Sequence, residues 1–174
     1  DGVAMAESMR DYLCRSRSRE LPLTDLAPVV SHVAELLTPI LQGTLGPGCP
    51  RLTLDLAPSF THADPGEVHR AVTALVYNAA RQCGPRNTIT LRTRADARRA
   101  CIEVEDDGPG LPEDVLRQAK APFYTTLPGT LDGLGLAIAD GVARVSDGSL
   151  SIRPGSQGGT RIIMALSLAS QPNP

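Results

Sequence analysis

Asp106 closes a stretch of alternating residues and is followed by two glycines, in Val104-Glu-Asp106-Asp-Gly108-Pro-Gly110. A carboxylate at that position can accept a hydrogen bond from the exocyclic amine of adenine. Guanine would put a carbonyl oxygen there and leave two acceptors face to face, so such a site discriminates between the bases. Gly108 and Gly110 let the backbone turn closely beneath a flat ring. The same residues also suffice for a simple turn, so the chemistry depends on what else the chain supplies.

Three further groups supply it. Asn78, in Leu75-Val-Tyr-Asn78-Ala79, offers a hard, neutral oxygen that can hold magnesium while phosphates bring the negative charge. Arg81, one helical turn on, can reach a phosphate. Alone, Asn78 is one amide and no motif. Gly133-Leu134-Gly135-Leu136 opens a helix, where backbone amides without side chains in the way suit phosphate. It is not a Rossmann turn, because no strand precedes it and Ile138 stands where the third glycine belongs. Gly158-Gly159-Thr160 turns into a strand and brings a hydroxyl that can assist at the adenine edge.

The elements that must position these residues follow from periodicity. Residues 24–41 carry apolar side chains at a helical period, with Thr24 as a cap and Pro39 near the far end. Three glycines and two prolines make 43–50 a loop. Residues 51–56 alternate as a strand. Asp64, Pro65 and Glu67 form a capping-box-like start to a helix that Gly84-Pro85 stops. Its buried stripe is Val68, Val72, Leu75 and Ala79, and Ala71, Ala74, Asn78 and Arg81 make a neighbouring face. Residues 88–93 and 100–105 form a hairpin. A proline- and glycine-rich segment reaches about residue 132, a helix spans about 134–145, and strands cover 149–153 and 160–168. The expected architecture is a two-layer α/β sandwich with helices on one side and a mixed, mostly antiparallel sheet on the other.

In this order and at these spacings the four groups resemble the N, G1, G2 and G3 boxes of the GHKL superfamily of gyrase-type ATPases, chaperones, mismatch-repair proteins and histidine kinases. The resemblance covers about residues 51–168. Between the second and third boxes, Ala121-Pro-Phe123-Tyr-Thr125-Thr126 resembles the F-box of nitrogen-regulation-type sensor histidine kinases. The resemblance implies a Bergerat-type sandwich that binds ATP or ADP with magnesium, with Asp106 on adenine, Asn78 on the metal, and Gly133 and Gly135 on phosphate. Residues 111–132, with Phe123, Thr125 and Thr126, would form a lid. The γ-phosphoryl group would pass to a histidine on a dimerisation domain absent from this chain, with a response regulator downstream. Residues 1–20 would be a remnant of that dimerisation hairpin and its linker, and 21–170 the catalytic domain. Three positions depart from the pattern: Ala74 replaces a common second asparagine, Leu127 a lysine, and Leu131 the first glycine of the third box.

The rest of the sequence narrows the class. With 174 residues, 41% of them apolar, the chain suits one globular domain. A net charge of −2 and arginine clusters without interleaved aromatics argue against nucleic acid, and the arginines read as solvated surface or hairpin tip. Cys14, Cys49, Cys83 and Cys101 form no CxxC pair and fit a reducing cytosol. No apolar run nears the ~18 residues that cross a bilayer, so no direct membrane contact is expected. His32, His62 and His69 are followed by Val33, Ala63 and Arg70, not by the acidic residue that follows a phosphoacceptor in this family. A gyrase-type ATPase needs a glutamate where Ala74 stands to activate water. An anti-sigma serine kinase shares the boxes but lacks the Pro-Phe-Tyr-Thr-Thr segment. A degenerate module that acts by partner contact is the rival from another class.

Overall fold

Asp64 starts its helix in the expected way: its carboxylate accepts from the amides of Gly66 (2.8 Å) and Glu67 (3.2 Å), and Pro65 occupies the first helical position. The structure, a computed structural model, describes residues 21–111 and 133–170. In chain order these form β1 (Leu23–Asp25), α1 (Leu26–Leu45), β2 (Arg51–Leu56), β3 (Phe60–His62), α2 (Pro65–Gln82), β4 (Thr88–Ala95), β5 (Arg99–Asp106), α3 (Gly133–Val145), β6 (Ser149–Pro154) and β7 (Thr160–Ser167).

Five strands make one sheet in the order β2-β4-β5-β7-β6. The β2–β4 pair is parallel, because α2 carries the chain back between them, and every other neighbour is antiparallel. Strand alternation sends Ile89, Leu91, Ile102, Val104, Ile162, Met164 and Leu166 to one face, where they are buried. That face meets the helices. Val30, Val33, Leu37 and Leu41 of α1, with Val68, Val72, Leu75 and Val76 of α2, complete the core. Each such side chain contributes about 1.5–3 kcal/mol by leaving water, enough to hold helices that would be marginal alone. The two-layer sandwich is as expected.

Three details differ from the sequence reading. Thr24 does not cap α1; it is buried in a short β1–β3 ladder, where its hydroxyl donates to the Ala63 carbonyl at 2.8 Å. Asp25 caps instead, accepting from Ala27 (3.2 Å) and Ser59 (3.0 Å). Pro39 lies within α1, which continues to Leu45 and ends at Gly46, whose φ of 56° suits glycine. Arg92 is not a solvated arginine but a half-buried partner of Glu105, Glu103 and Asp55 on the outer face of the sheet.

Candidate functional site

Asp106 falls on the inner face of β5 because it continues the alternation Ala100, Ile102, Val104. It ends the strand buried, at 7% exposure, beside the last turn of α2. Its Oδ1 accepts the amide of Gly108 at 2.9 Å and that of Thr160, 54 residues away, at 3.3 Å. Burial raises its pKa above the usual carboxylate range; the two amide bonds oppose that rise and the charge of Asp107 adds to it. One strand end therefore carries a buried carboxylate with backbone donors already on one oxygen.

The glycines around it have specific spatial reasons. A Cβ on Gly108 would stand 3.0 Å from Asp106 Oδ1 and 3.1 Å from Cys83 Sγ. Gly110 has a φ of 74°, and a Cβ there would meet the Gly159 carbonyl at 3.1 Å. Gly159, with a φ of 70°, lies so close that a Cβ would fall 2.0 Å from the Asp106 carbonyl oxygen. The second and fourth motifs are thus in direct contact. It is the amide of Thr160 that reaches Asp106.

On α2, Asn78 is half-buried and Arg81 exposed. Cys83 ends the helix against Asp106, which places Asn78 about 7.5 Å back along the axis. The expected stripe Val68, Val72, Leu75 and Ala79 is buried, and Ala71 joins it. Ala74 faces α3: a Cβ on Gly135 would stand 3.3 Å from the Ala74 carbonyl oxygen and 3.4 Å from its Cβ. The first turn of α3 therefore packs one helical turn from Asn78, with Leu136 partly buried against the core. Gly133 and Leu134 open that helix. Phe123, Thr125, Thr126, Leu127 and Leu131 lie outside the described residues.

Two neighbours of Asp106 escaped the sequence reading. Cys83 has its thiol at the carboxylate; burial, then the charges of Asp106 and Asp107, push it up to about 12, so it stays a neutral donor. Glu105 points the other way, to the outer face, where it is buried among Arg92, Arg161 and Ser156. Burial would raise its carboxyl, but bonds from the Ser156 amide and hydroxyl and from Arg92, with the charge of Arg161, bring it down to about 2. The available signal was the hairpin itself: alternation puts Arg92 and Arg94 on the face of Glu103 and Glu105. No three His, Cys, Asp or Glu among the described residues group to hold a metal. His32 and His69 face each other across α1 and α2 with ring centres 5.8 Å apart, and His62 Nδ1 lies 3.1 Å from the Leu21 carbonyl oxygen.

Comparison with known proteins adds relatives to this geometry. Residues 63–170 match the family described as histidine kinase-, DNA gyrase B-, and HSP90-like ATPase. The chain is 30% identical over 142 residues to the sensor protein KdpD of Mycobacterium tuberculosis, covering 77% of this chain and 16% of that protein. It is 29% identical over 153 residues to the sensory histidine kinase/phosphatase NtrB of Escherichia coli O157:H7, covering 79% of this chain and 42% of the other. The chain thus spans less than half the length of either. Among solved structures, the histidine kinase domain of the E. coli osmosensor EnvZ superposes with a TM-score of 0.65 at 25% identity, covering 90% of this chain and 94% of that one. The sandwich is the Bergerat-type fold of histidine kinase ATPase domains.

Proposed function

Since the chain belongs to the histidine kinase-, DNA gyrase B- and HSP90-like ATPase family, and within it is homologous to the catalytic ATP-binding domains of sensor histidine kinases, we propose that it binds Mg-ATP and donates the γ-phosphoryl group to a histidine on a separate domain. The observation that carries this is Asp106: a buried carboxylate with amide donors on one oxygen, able to offer the other to the adenine amine. Arg81 and the amides at the start of α3, at Gly133 and Gly135, take the phosphates. A divalent cation would rest on Asn78, with phosphate and water as its other ligands; a neutral amide oxygen on the helix facing α3 fits that role. Bound there, magnesium supplies charge neutralisation at the phosphates. The segment 111–132, with Phe123, Thr125 and Thr126, acts as the lid, and its Pro-Phe-Tyr-Thr-Thr run is the nitrogen-regulation-type F-box. The likeness to NtrB supports that assignment.

Transfer breaks the bond between the γ-phosphorus and the ADP oxygen and forms one to a histidine nitrogen, so the chain need only position its substrates and neutralise charge. His32 and His69 face each other across two helices, and none of the three histidines is followed by an acidic residue, so the acceptor is external. Residues 21–170 are the catalytic domain and 1–20 the end of the acceptor hairpin; the phosphoryl group passes on to a response regulator. We place the domain in the cytoplasm; no helix among the described residues is long and apolar enough to cross a membrane.

The test is incubation with radiolabelled ATP and magnesium, alone and with a histidine-bearing hairpin fragment. Alone the chain binds nucleotide but takes up no label; with the hairpin, an acid-labile label appears on the fragment. An acid-stable label would indicate a serine kinase, rapid turnover without label an ATPase, and no nucleotide binding a partner-contact module.

A further inference from the structure

Glu105 and Asp106 are adjacent residues that point to opposite faces of β5, yet both hold the same distant turn. Asp106 takes the Thr160 amide on its side chain, and its backbone oxygen lies where Cβ atoms on Gly155 and Gly159 would fall 3.1 Å and 2.0 Å away. From the other side, Glu105 Oε1 accepts the Ser156 amide at 2.5 Å and the Ser156 hydroxyl at 2.7 Å. Its Oε2 faces Arg161 at 3.2 Å and is bonded by Arg92. The turn is closed on itself by the Gly155 amide, which donates to the Gly159 carbonyl at 3.1 Å, and Glu105 and Asp106 tie it to β5. Ser156, Gln157 and Gly158 are exposed, and Gly158 and Gly159 both sit at positive φ, so no apolar side chain anchors it.

We propose that Glu105 is a positioning residue for the Asp106 subsite: through Ser156 it fixes the 155–159 turn, and so fixes where the Thr160 amide meets Asp106. Arg92 and Arg161 hold the carboxylate from behind. Glu105 touches no nucleotide; it decides which Asp106 oxygen is occupied and which is left for the base. The inference rests on the adenine role of Asp106. It assigns a selectivity function to an ion-pair cluster on the sheet face away from the site.

The experiment compares Glu105→Gln, Ser156→Asp, the double variant and Asp106→Asn in the whole chain. ATP and GTP affinities are read by displacing a fluorescent ATP analogue with magnesium, and folding by circular dichroism. Glu105→Gln leaves an amide donor facing other donors, and ATP should bind about five- to twentyfold more weakly. Ser156→Asp sets two carboxylates together and should weaken ATP about tenfold. In both, the preference for ATP over GTP falls. The double variant should bind ATP better than Ser156→Asp alone, since the side-chain amide introduced by Glu105→Gln can donate to the new carboxylate; general destabilisation would not produce that rescue. If the folded variants keep the parental ATP affinity and base preference while Asp106→Asn loses them, the positioning role is wrong and the adenine assignment stands. If Asp106→Asn is also parental, the adenine assignment itself falls. Should Glu105→Gln fail to fold, Ser156→Asp, at an exposed position, decides alone: a parental ATP-to-GTP ratio overturns the proposal.

Discussion

Replacing Asp106 by asparagine separates what that residue does for the fold from what it does for a nucleotide. Its Oδ1 accepts the Gly108 and Thr160 amides at 2.9 and 3.3 Å. An asparagine carbonyl can accept both, so those two bonds survive. The amide nitrogen then stands where the second oxygen was, a donor facing the adenine amine. The charge-assisted bond, worth about 1.5–3 kcal/mol, is lost, which corresponds to about 10- to 150-fold weaker ATP binding. Guanine presents an acceptor at that place, so GTP should weaken less, and the base preference should narrow or invert. Stability at neutral pH should not fall, because the substitution removes a buried charge that burial disfavours. Burial raises the pKa of Asp106, so its contribution to stability is full below the ordinary carboxylate range and is lost as pH rises through the raised value. Asp106→Asn lacks that loss. Calorimetric titration with Mg-ATP and Mg-GTP, with thermal melts at several pH values, checks each part. A folded variant with unchanged affinity for both nucleotides would refute the reasoning.

Asn78→Ala should abolish magnesium-dependent nucleotide binding, and Asn78→Asp should be poor as well, since it adds an anion beside the phosphates; parental ATP titrations with both would place the metal elsewhere. Gly135→Val should lower the melting temperature by several degrees as well as weaken ATP, because its Cβ meets the Ala74 carbonyl oxygen at 3.3 Å and overpacking of that kind costs about 1–3 kcal/mol. An unchanged melting temperature would mean that α3 does not pack on Ala74 as described. Glu105, with its carboxyl near 2 against an ordinary 4.5, gives stability that is complete above 4.5 and is lost as pH falls through about 2, at most about 3 kcal/mol. Acid unfolding of Glu105→Gln should therefore converge on the parental curve at low pH, and parallel curves would contradict the ion-pair cluster.

Long periodic segments were legible from residue types alone. Asp64, Pro65 and Glu67 marked the start of α2, and alternation marked the hairpin to within two residues, because both signals are local. β1 and β3 were not legible. Each has three residues, too few to show alternation, and their pairing joins segments about 37 residues apart. The same limit hid the reason for the glycines. Gly108 and Gly110 read as room beneath a base and Gly159 as part of a turn into a strand, and the structure shows each also pressed against Asp106 or against another glycine of the same cluster. Gly135 read as clearance for phosphate, and its nearest neighbour is Ala74, whose packing role on that helix face carried no sequence signal. Cys83 and Ser156 carried no sequence mark at all. A neutral thiol and a surface serine acquire meaning from what lies across space.

Asp106 meets Thr160 across 54 residues, and Thr160 opens the last strand of the sheet. A chain still short of residue 160 would hold Asp106 with no partner from that strand, so base selectivity waits on the synthesis of β7. In the finished protein, the Thr160 amide proton is a natural reporter. Its exchange with solvent measures how often β7 parts from the end of β5, and its chemical shift senses the charge on one carboxylate. Nuclear magnetic resonance of that single proton would register a nucleotide reaching Asp106 without any label on the nucleotide.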